Sequence, residues 1–334
     1  MDRIYVQTNA ADENEVVAFD RNGDGSLTPL GRFATGGRGS GVPHLASQSS
    51  LALDGDRLLV ANAGSDEVSL FRVNADGVEL AARAASGGSA PTSIAVHGDL
   101  AYVLNNGSAG IAGFSLAGGE LTPLEGSARS LAAGADPAQI AFSPDGRTLV
   151  VTERGTNSIS TFAVGADGLA EGPRTIASSG ATPYGFDFAG DAVVVTEAFG
   201  GEVGAAAASS YALEGGRLEP RSASVADTRS EVCWAAVSKD GRFVYVTNFG
   251  DGTISSYAIG ADGSIELAEA VAASTRLGEK GVRDEAITGD GRFLYALDAD
   301  ARRIFGWSVG DDGSLSPVGD ADGLPETVAG LAAS

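Results

Sequence analysis

The chain is one unit written seven times. The clearest copy is KDGRFVYVTNFGDGTISSYAIGADGSIEL, residues 239–267. It is echoed by DGDRLLVANAGSDEVSLFRVNADGVEL (54–80), PDGRTLVVTERGTNSISTFAVGADGLA (144–170) and GDGRFLYALDADARRIFGWSVGDDGSL (289–315). Weaker copies start at His97, Ala189 and the N-terminus. The equivalent apolar anchors are Val6, Val60, Val103, Val151, Val195, Val246 and Ala296, spaced 54, 43, 48, 44, 51 and 50 residues apart. A unit of that length is one supersecondary element, the size of a four-stranded propeller blade. Such a unit cannot bury its apolar faces alone, so the copies must stack on one another.

Two further series keep the same register. An aromatic follows each anchor at Phe19, Phe71, Phe114, Phe162, Tyr211, Tyr257 and Trp307, and is expected to pack blade on blade. A turn glycine comes next, at Gly25, Gly77, Gly119, Gly168, Gly216, Gly263 and Gly313. Another precedes the anchor at Gly55, Gly98, Gly146, Gly190, Gly241 and Gly291. These sit mostly in Asp-Gly or Gly-Gly pairs, the chemistry of tight hairpins. Two hairpins per unit with period-2 segments between them predict four antiparallel strands, A to D. The 48 glycines, about twice the usual share, are therefore turn chemistry and not disorder.

The first unit has no strand A in front of it. Elsewhere strand A begins PTSIAV (91–96), PAQIAF (137–142) or PYGFDF (183–188), and the chain ends PETVAGLAAS (325–334). Pro325–Ala333 is expected to supply the missing strand to the blade made by residues 2–35, closing the ring without an open edge. The expectation is an all-β, seven-bladed propeller of four-stranded antiparallel blades, residues 1–334 forming one domain.

Composition narrows the function. One Cys excludes an internal disulfide and a thiolate metal cage. No window is long and apolar enough for a transmembrane span, and MDRIYVQTN has no apolar signal region. A net charge of -22 disfavours nucleic acid and anionic membranes as partners. A cytoplasmic protein is expected. Its oligomeric state leaves no mark in the sequence. GxSxG, HExxH, P-loop and CxxC motifs are absent. Asp-Gly stretches such as 21–28 lack the terminal Glu of a calcium loop. Neither cofactor nor metal is expected.

Strand A starts and strand B ends on the same face, here called the top, where side chains can converge on the central channel. Strand B ends in Asn9, Asn62, Asn105, Glu153, Glu197, Asn248 and Asp298. The asparagines suit turn capping, whereas Glu153 and Glu197 are candidate acid–base groups, with salt-bridged surface as the plainer reading. His44 lies in the long crossover 35–48, a candidate base on a candidate lid. Among the strand A starts, Tyr184, Trp234, Arg283 and Asp284 are candidate substrate contacts, as are the top-side Arg38 and Arg154. Arginines at a channel mouth recognise carboxylates or stabilise oxyanions, unless neighbouring acids pair with them. The insertion 198–209 is expected to rim the pocket. Cys233 reads as a buried, inert thiol, and His97 as a bottom-face turn residue.

The units PDGRTLVVTERGTNSISTFAV, SKDGRFVYVTNFGDGTISSYAI and GDGRFLYAL, with the closing LPETVAGLAAS, resemble the seven-bladed lactonase family over the whole chain. That family includes cycloisomerase-type 6-phosphogluconolactonases and the fungal carboxymuconate lactonising enzyme. The resemblance implies lactone opening or closing without a metal, at a channel mouth using a His, a Glu and arginines. The matching residue types are His44, Glu153 or Glu197, and Arg154 or Arg283. The first expectation is thus a lactonase-like hydrolase acting on a small lactone or carboxylate. Two alternatives stand beside it. One is a lyase or isomerase abstracting a proton alpha to a carbonyl. The other is a non-enzymatic propeller binding a small molecule or a protein.

Overall fold

The computed structural model describes residues 2–43 and 45–334. Seven antiparallel sheets follow one another along the chain, their strands in sequence order except in blade one, whose inner strand is the last of the chain. The inner strands are Ala329–Ala333, Leu51–Asp54, Pro91–His97, Pro137–Phe142, Pro183–Ala189, Val232–Val237 and Val282–Ile287, for blades one to seven. Neighbouring inner strands touch all the way round, including the last pair across the chain termini. Among the described residues no helix is long and apolar enough to cross a membrane.

The ring closes as the repeat requires. Ala329–Ala333 pairs antiparallel with Arg3–Gln7, setting Ala332 opposite Tyr5 and Ala333 opposite Ile4. The strand starts later than expected. Pro325 to Val328 form a turn, with the Val328 amide on the Pro325 carbonyl at 3.3 Å and the Thr327 hydroxyl on the Thr8 carbonyl at 2.6 Å. Blade three also departs, its outer strand being split into Thr122–Pro123 and Arg129–Ser130. Pro123 has no N–H to extend a ladder, a residue confined to edge positions of a sheet.

Seven apolar seams separate the blades, and each contains one aromatic of the strand C series. Phe19 packs with Phe293 and Tyr295 across the seven–one seam, Phe71 with Tyr5 and Val16 across one–two, and Phe114 with Leu59 and Val68 across two–three. Phe162, Tyr211, Tyr257 and Trp307 do the same in the remaining four. All seven are buried. Emptying one such site by substitution to Ala costs about 3–5 kcal/mol. All thirteen turn glycines named above have positive φ, from 58° at Gly98 to 137° at Gly77, which L residues rarely adopt.

A latch invisible in the repeat adds polar specificity to these seams. Strand B tyrosines donate to the C–D turn of the next blade. Tyr102 reaches Gly168 at 2.8 Å, Tyr245 reaches Gly313 at 2.9 Å, and Tyr295 reaches Gly25 at 2.5 Å. The last spans the seam that joins the two ends of the chain. Tyr295→Phe keeps the ring and strands the Gly25 carbonyl. A loss of about 1–2 kcal/mol is expected in urea unfolding, with unchanged m.

Candidate functional site

The polar residues that end strand B are tethers. Glu197 is fully buried and accepts four hydrogen bonds: from the Gly180 amide at 2.7 Å and the hydroxyls of Ser209, Ser224 and Ser178 at 2.6, 2.7 and 3.3 Å. Glu153 accepts from Ser160 at 2.5 Å and Thr156 at 2.9 Å. The Asn105 amide donates to the Ser86 carbonyl, and Asp298 accepts from Thr275 and Arg276. Their partners lie on strand C, the B–C loop or the preceding crossover. The structure thus directs Glu153 and Glu197 outward from the axis, and each of their oxygens already has a donor. The asparagines, expected to cap B–C turns, mostly bind strand C and crossovers instead.

The other candidates divide. Arg154, Tyr184, Trp234, Arg283 and Asp284 come together, joined by Cys233. The Arg154 guanidinium lies 5.0 Å from the Tyr184 ring centroid and pairs with Asp136 at 2.7 Å. Arg283 lies 3.8 Å from the Phe249 ring, which Lys280 also approaches at 5.2 Å. Tyr184, Cys233, Trp234, Ala138 and Phe249 form one apolar cluster. Cys233, Arg154, Arg283 and Asp284 all act electrostatically on the Tyr184 phenol, whose pKa burial drives upward. Phe249 carries no sequence signal, because it sits just past the strand B end where other blades vary. Arg38 is exposed and engages Ser65 only through its amide. His44 lies outside the described residues.

Three polar atoms at this mouth have no hydrogen-bond partner: Arg283 Nε, Asp284 Oδ1 and Trp234 Nε1. The other Asp284 oxygen accepts from the Gly330 amide at 3.0 Å, across the seven–one seam. Burial raises the Asp284 carboxyl well above the ordinary range, against the opposing pull of Arg283. Burial likewise pushes the Cys233 thiol up to about 12, an inert state at neutral pH. Below them Gln48 crosses the channel from blade two to blade six. Its amide donates to the Ala235 carbonyl at 2.8 Å and accepts from the Ala235 amide at 3.1 Å. A Cβ on Gly185 would lie 2.3 Å from the Gln48 oxygen, so only glycine leaves it room.

The top loops are pinned. In the crossover after blade one, Gly39 and Gly41 donate to Ala10 and Asn9, and Asn9 holds Ser40 and Val42. The insertion 198–209 bridges two crossovers, through Ala198 to Thr182 and Ala206 to Arg229. Arg276 is spent on Asp298 and Glu279. Surface clefts such as that of Asp54, Arg57, Arg72 and Asp99 open on the opposite face. His97 is exposed there, 5.8 Å from the Phe142 ring.

Seven four-stranded blades in a ring, crossed by Gln48 and carrying one polar, aromatic mouth, define a seven-bladed β-propeller. The sequence profile "Lactonase, 7-bladed beta-propeller" matches residues 41–203 and 193–327, and the chain belongs to that family. No curated protein matches it. Among solved structures, a periplasmic gluconolactonase from Pseudomonas aeruginosa is similar over 99% of this chain and 98% of its own, at 19% identity and TM-score 0.76. A candidate 6-phosphogluconolactonase from Bacteroides fragilis covers 100% and 98%, at 17% and 0.75. A hypothetical selenium-binding protein from Sulfolobus tokodaii covers 100% and 93%, at 12% and 0.70. At these identities the likeness is one of fold.

Two outcomes test these placements. Glu197→Gln puts an amide where four donors converge, and is expected to cost about 1–3 kcal/mol in denaturant unfolding. Asp227 is buried in the crossover before blade six, and burial raises its pKa to about 6. The native state therefore holds the proton more tightly than the unfolded chain, where Asp titrates near ~3.9. Stability from this group is full below about pH 4 and lost as pH rises through about 6, on the order of 2–3 kcal/mol. Tm should fall between pH 5 and 7.5, and Asp227→Asn should flatten that slope in a thermal scan.

Proposed function

We propose that the chain is a lactonase-like hydrolase that opens a small lactone at the top mouth of its channel. The observation that carries this reading is the set of unpartnered polar atoms around Tyr184, on Arg283, Asp284 and Trp234. Buried polar atoms are normally paired, and a bound ester with its attacking water would satisfy these. Family membership supports a lactone as the substrate class.

The roles follow from chemistry. The Arg283 guanidinium, stacked on Phe249 and so already oriented, stabilises the oxyanion that forms at the lactone carbonyl. One such donor contributes about 3–4 kcal/mol to a transition state. Asp284, once ionised, takes the proton of the attacking water as its oxygen bonds to the carbonyl carbon; collapse of the oxyanion breaks the ring C–O bond, and Asp284 returns the proton to the leaving alkoxide. Its raised pKa makes it a stronger base than an exposed carboxylate. Trp234 Nε1 holds a ring oxygen of the substrate, and the Arg154–Tyr184 stack forms a rigid wall.

A pH-stat assay over sugar and aromatic lactones tests this. Acid release above the spontaneous rate is expected for at least one member. The rate should climb with pH as Asp284 loses its proton, starting above the ordinary carboxylate range. Asp284→Asn should abolish that rise, and Arg283→Met should lower kcat about 100–1,000-fold with little change in KM. No acid release from any member, or wild-type rates in both variants, would overturn the reading.

A further inference from the structure

Aligning the inner strands by the residue opposite each anchor exposes two breaks in the repeat. Opposite the anchors of blades two to seven stand Leu51, Ile94, Ile140, Phe186, Ala235 and Glu285. Five are apolar and one is an acid. The next residue along is Ala52, Ala95, Ala141, Asp187, Ala236 and Ala286, and Ala332 in blade one. Six blades carry alanine there, and blade five carries aspartate. The two acids belong to blades five and seven, on either side of blade six. Blade six presents the small side chains Ala235 and Ala236 at these levels, one to each of its two seams.

Their surroundings are unusual for carboxylates. Glu285 is 3% exposed, and neither of its oxygens has a hydrogen-bond partner. Asp187 is half-buried and fixed by two amides, Val237 of blade six at 2.8 Å and Phe188 at 2.7 Å. The charge that bears on Glu285 is that of Asp187, with no cation opposing it. Burial raises Asp187 to about 6 and Glu285 well above its usual value. A buried, wholly unpaired acid in the field of a second acid is costly to a fold. The other blades show that the fold needs neither. Such a departure from an otherwise consistent pattern marks a functional position.

We infer that Asp187 and Glu285 form a binding site for a hydrated divalent cation, deeper in the channel than the mouth. Oxygen-only ligands select a hard ion of the magnesium or calcium kind. No group of three acidic, His or Cys side chains suited to a metal occurs among the described residues. The ion would therefore be held by two carboxylates and keep water in its remaining positions, as magnesium commonly does. It would supply the positive charge that Glu285 lacks.

The full chain, stripped with chelator, is titrated at pH 8 with MgCl2, CaCl2 and, as a screening control, NaCl at matched ionic strength. Calorimetry and thermal melts are the readouts. A saturable 1:1 event and a Tm rise of a few degrees with one divalent ion are expected. Asp187→Ala and Glu285→Leu restore the residues of the other blades, so both variants should fold. Each should bind at least about tenfold more weakly and lose the Tm response. Glu285→Gln, closer in shape, should behave alike. Nonspecific binding to a chain of this charge would survive all three substitutions, and that result would overturn the proposal. So would a wild-type protein indifferent to both divalent ions, which would leave the pair sharing a proton only.

Discussion

The seam between adjacent blades is the interaction on which the rest of this protein depends. No blade has a core of its own; its apolar residues face a neighbour, and the strand C aromatic fills the space between. A ring held this way is as strong as its weakest seam. Blade one closes it, its inner strand Ala329–Ala333 joined to Arg3–Gln7 by hydrogen bonds with no covalent turn, and the seven–one seam packs that blade's N-terminal strands against blade seven. It holds Phe19, Phe293, Tyr295 and Leu331, and the Tyr295 hydroxyl latches the Gly25 turn. Asp284 adds a second polar tie there through the Gly330 amide. The mouth and the closure of the ring are thus mechanically one region.

Most of the architecture was legible because it is periodic. Anchors, aromatics and turn glycines recur in register, and each has a local physical meaning that needs no tertiary information. The C-terminal strand was legible for the same reason, though its start was misplaced because Pro325 resembles the prolines that open other inner strands. What could not be read was convergence. Gln48 meets Ala235 across the axis, 187 residues away in sequence, and nothing local marks that pairing. Glu153 and Glu197 looked chemical because they replace asparagine, yet the structure has them accepting hydrogen bonds from serines, a threonine and an amide at a tether position. Register alone could not reveal that difference. Tyr184, Trp234, Arg283 and Asp284 were visible as unusual strand starts, but their common neighbourhood required the ring to close.

The charge balance gains meaning from the mouth. A chain of net charge -22 repels anions at a distance, and salt screens that field within about 8–10 Å. Local geometry then decides. Several arginines elsewhere are consumed by ion pairs, as Arg276 is by Asp298 and Glu279. Arg154 pairs with Asp136 as well as lying over Tyr184, whereas Arg283 lies over the Phe249 ring, which orients a guanidinium without neutralising it. Lys280 shares the Phe249 face although Glu231 also binds it. The mouth thus gathers Arg154, Lys280 and Arg283 within an acidic protein, with Asp136, Glu231 and Asp284 beside them.

A seven-fold ring poses a problem that its sequence must solve. Seven equivalent blades offer an axis with no preferred side, and a small asymmetric ligand needs one. The departures from the repeat supply it, and they fall in one half of the ring. At the second position of strand A, blades three and four carry Thr92 and Ala138, while blades five to seven carry Tyr184, Cys233 and Arg283. At the third, Ser93 and Gln139 give way to Gly185, Trp234 and Asp284. Deeper down the same half bears Asp187 and Glu285. Blades two to four send out two long polar side chains, and both are clamped to backbone: Gln139 to Phe186 of blade five and Gln48, across the axis, to Ala235 of blade six. Gln48 acts as a strut against which the asymmetric half is held, so the regular part of the ring serves as scaffold for the irregular part.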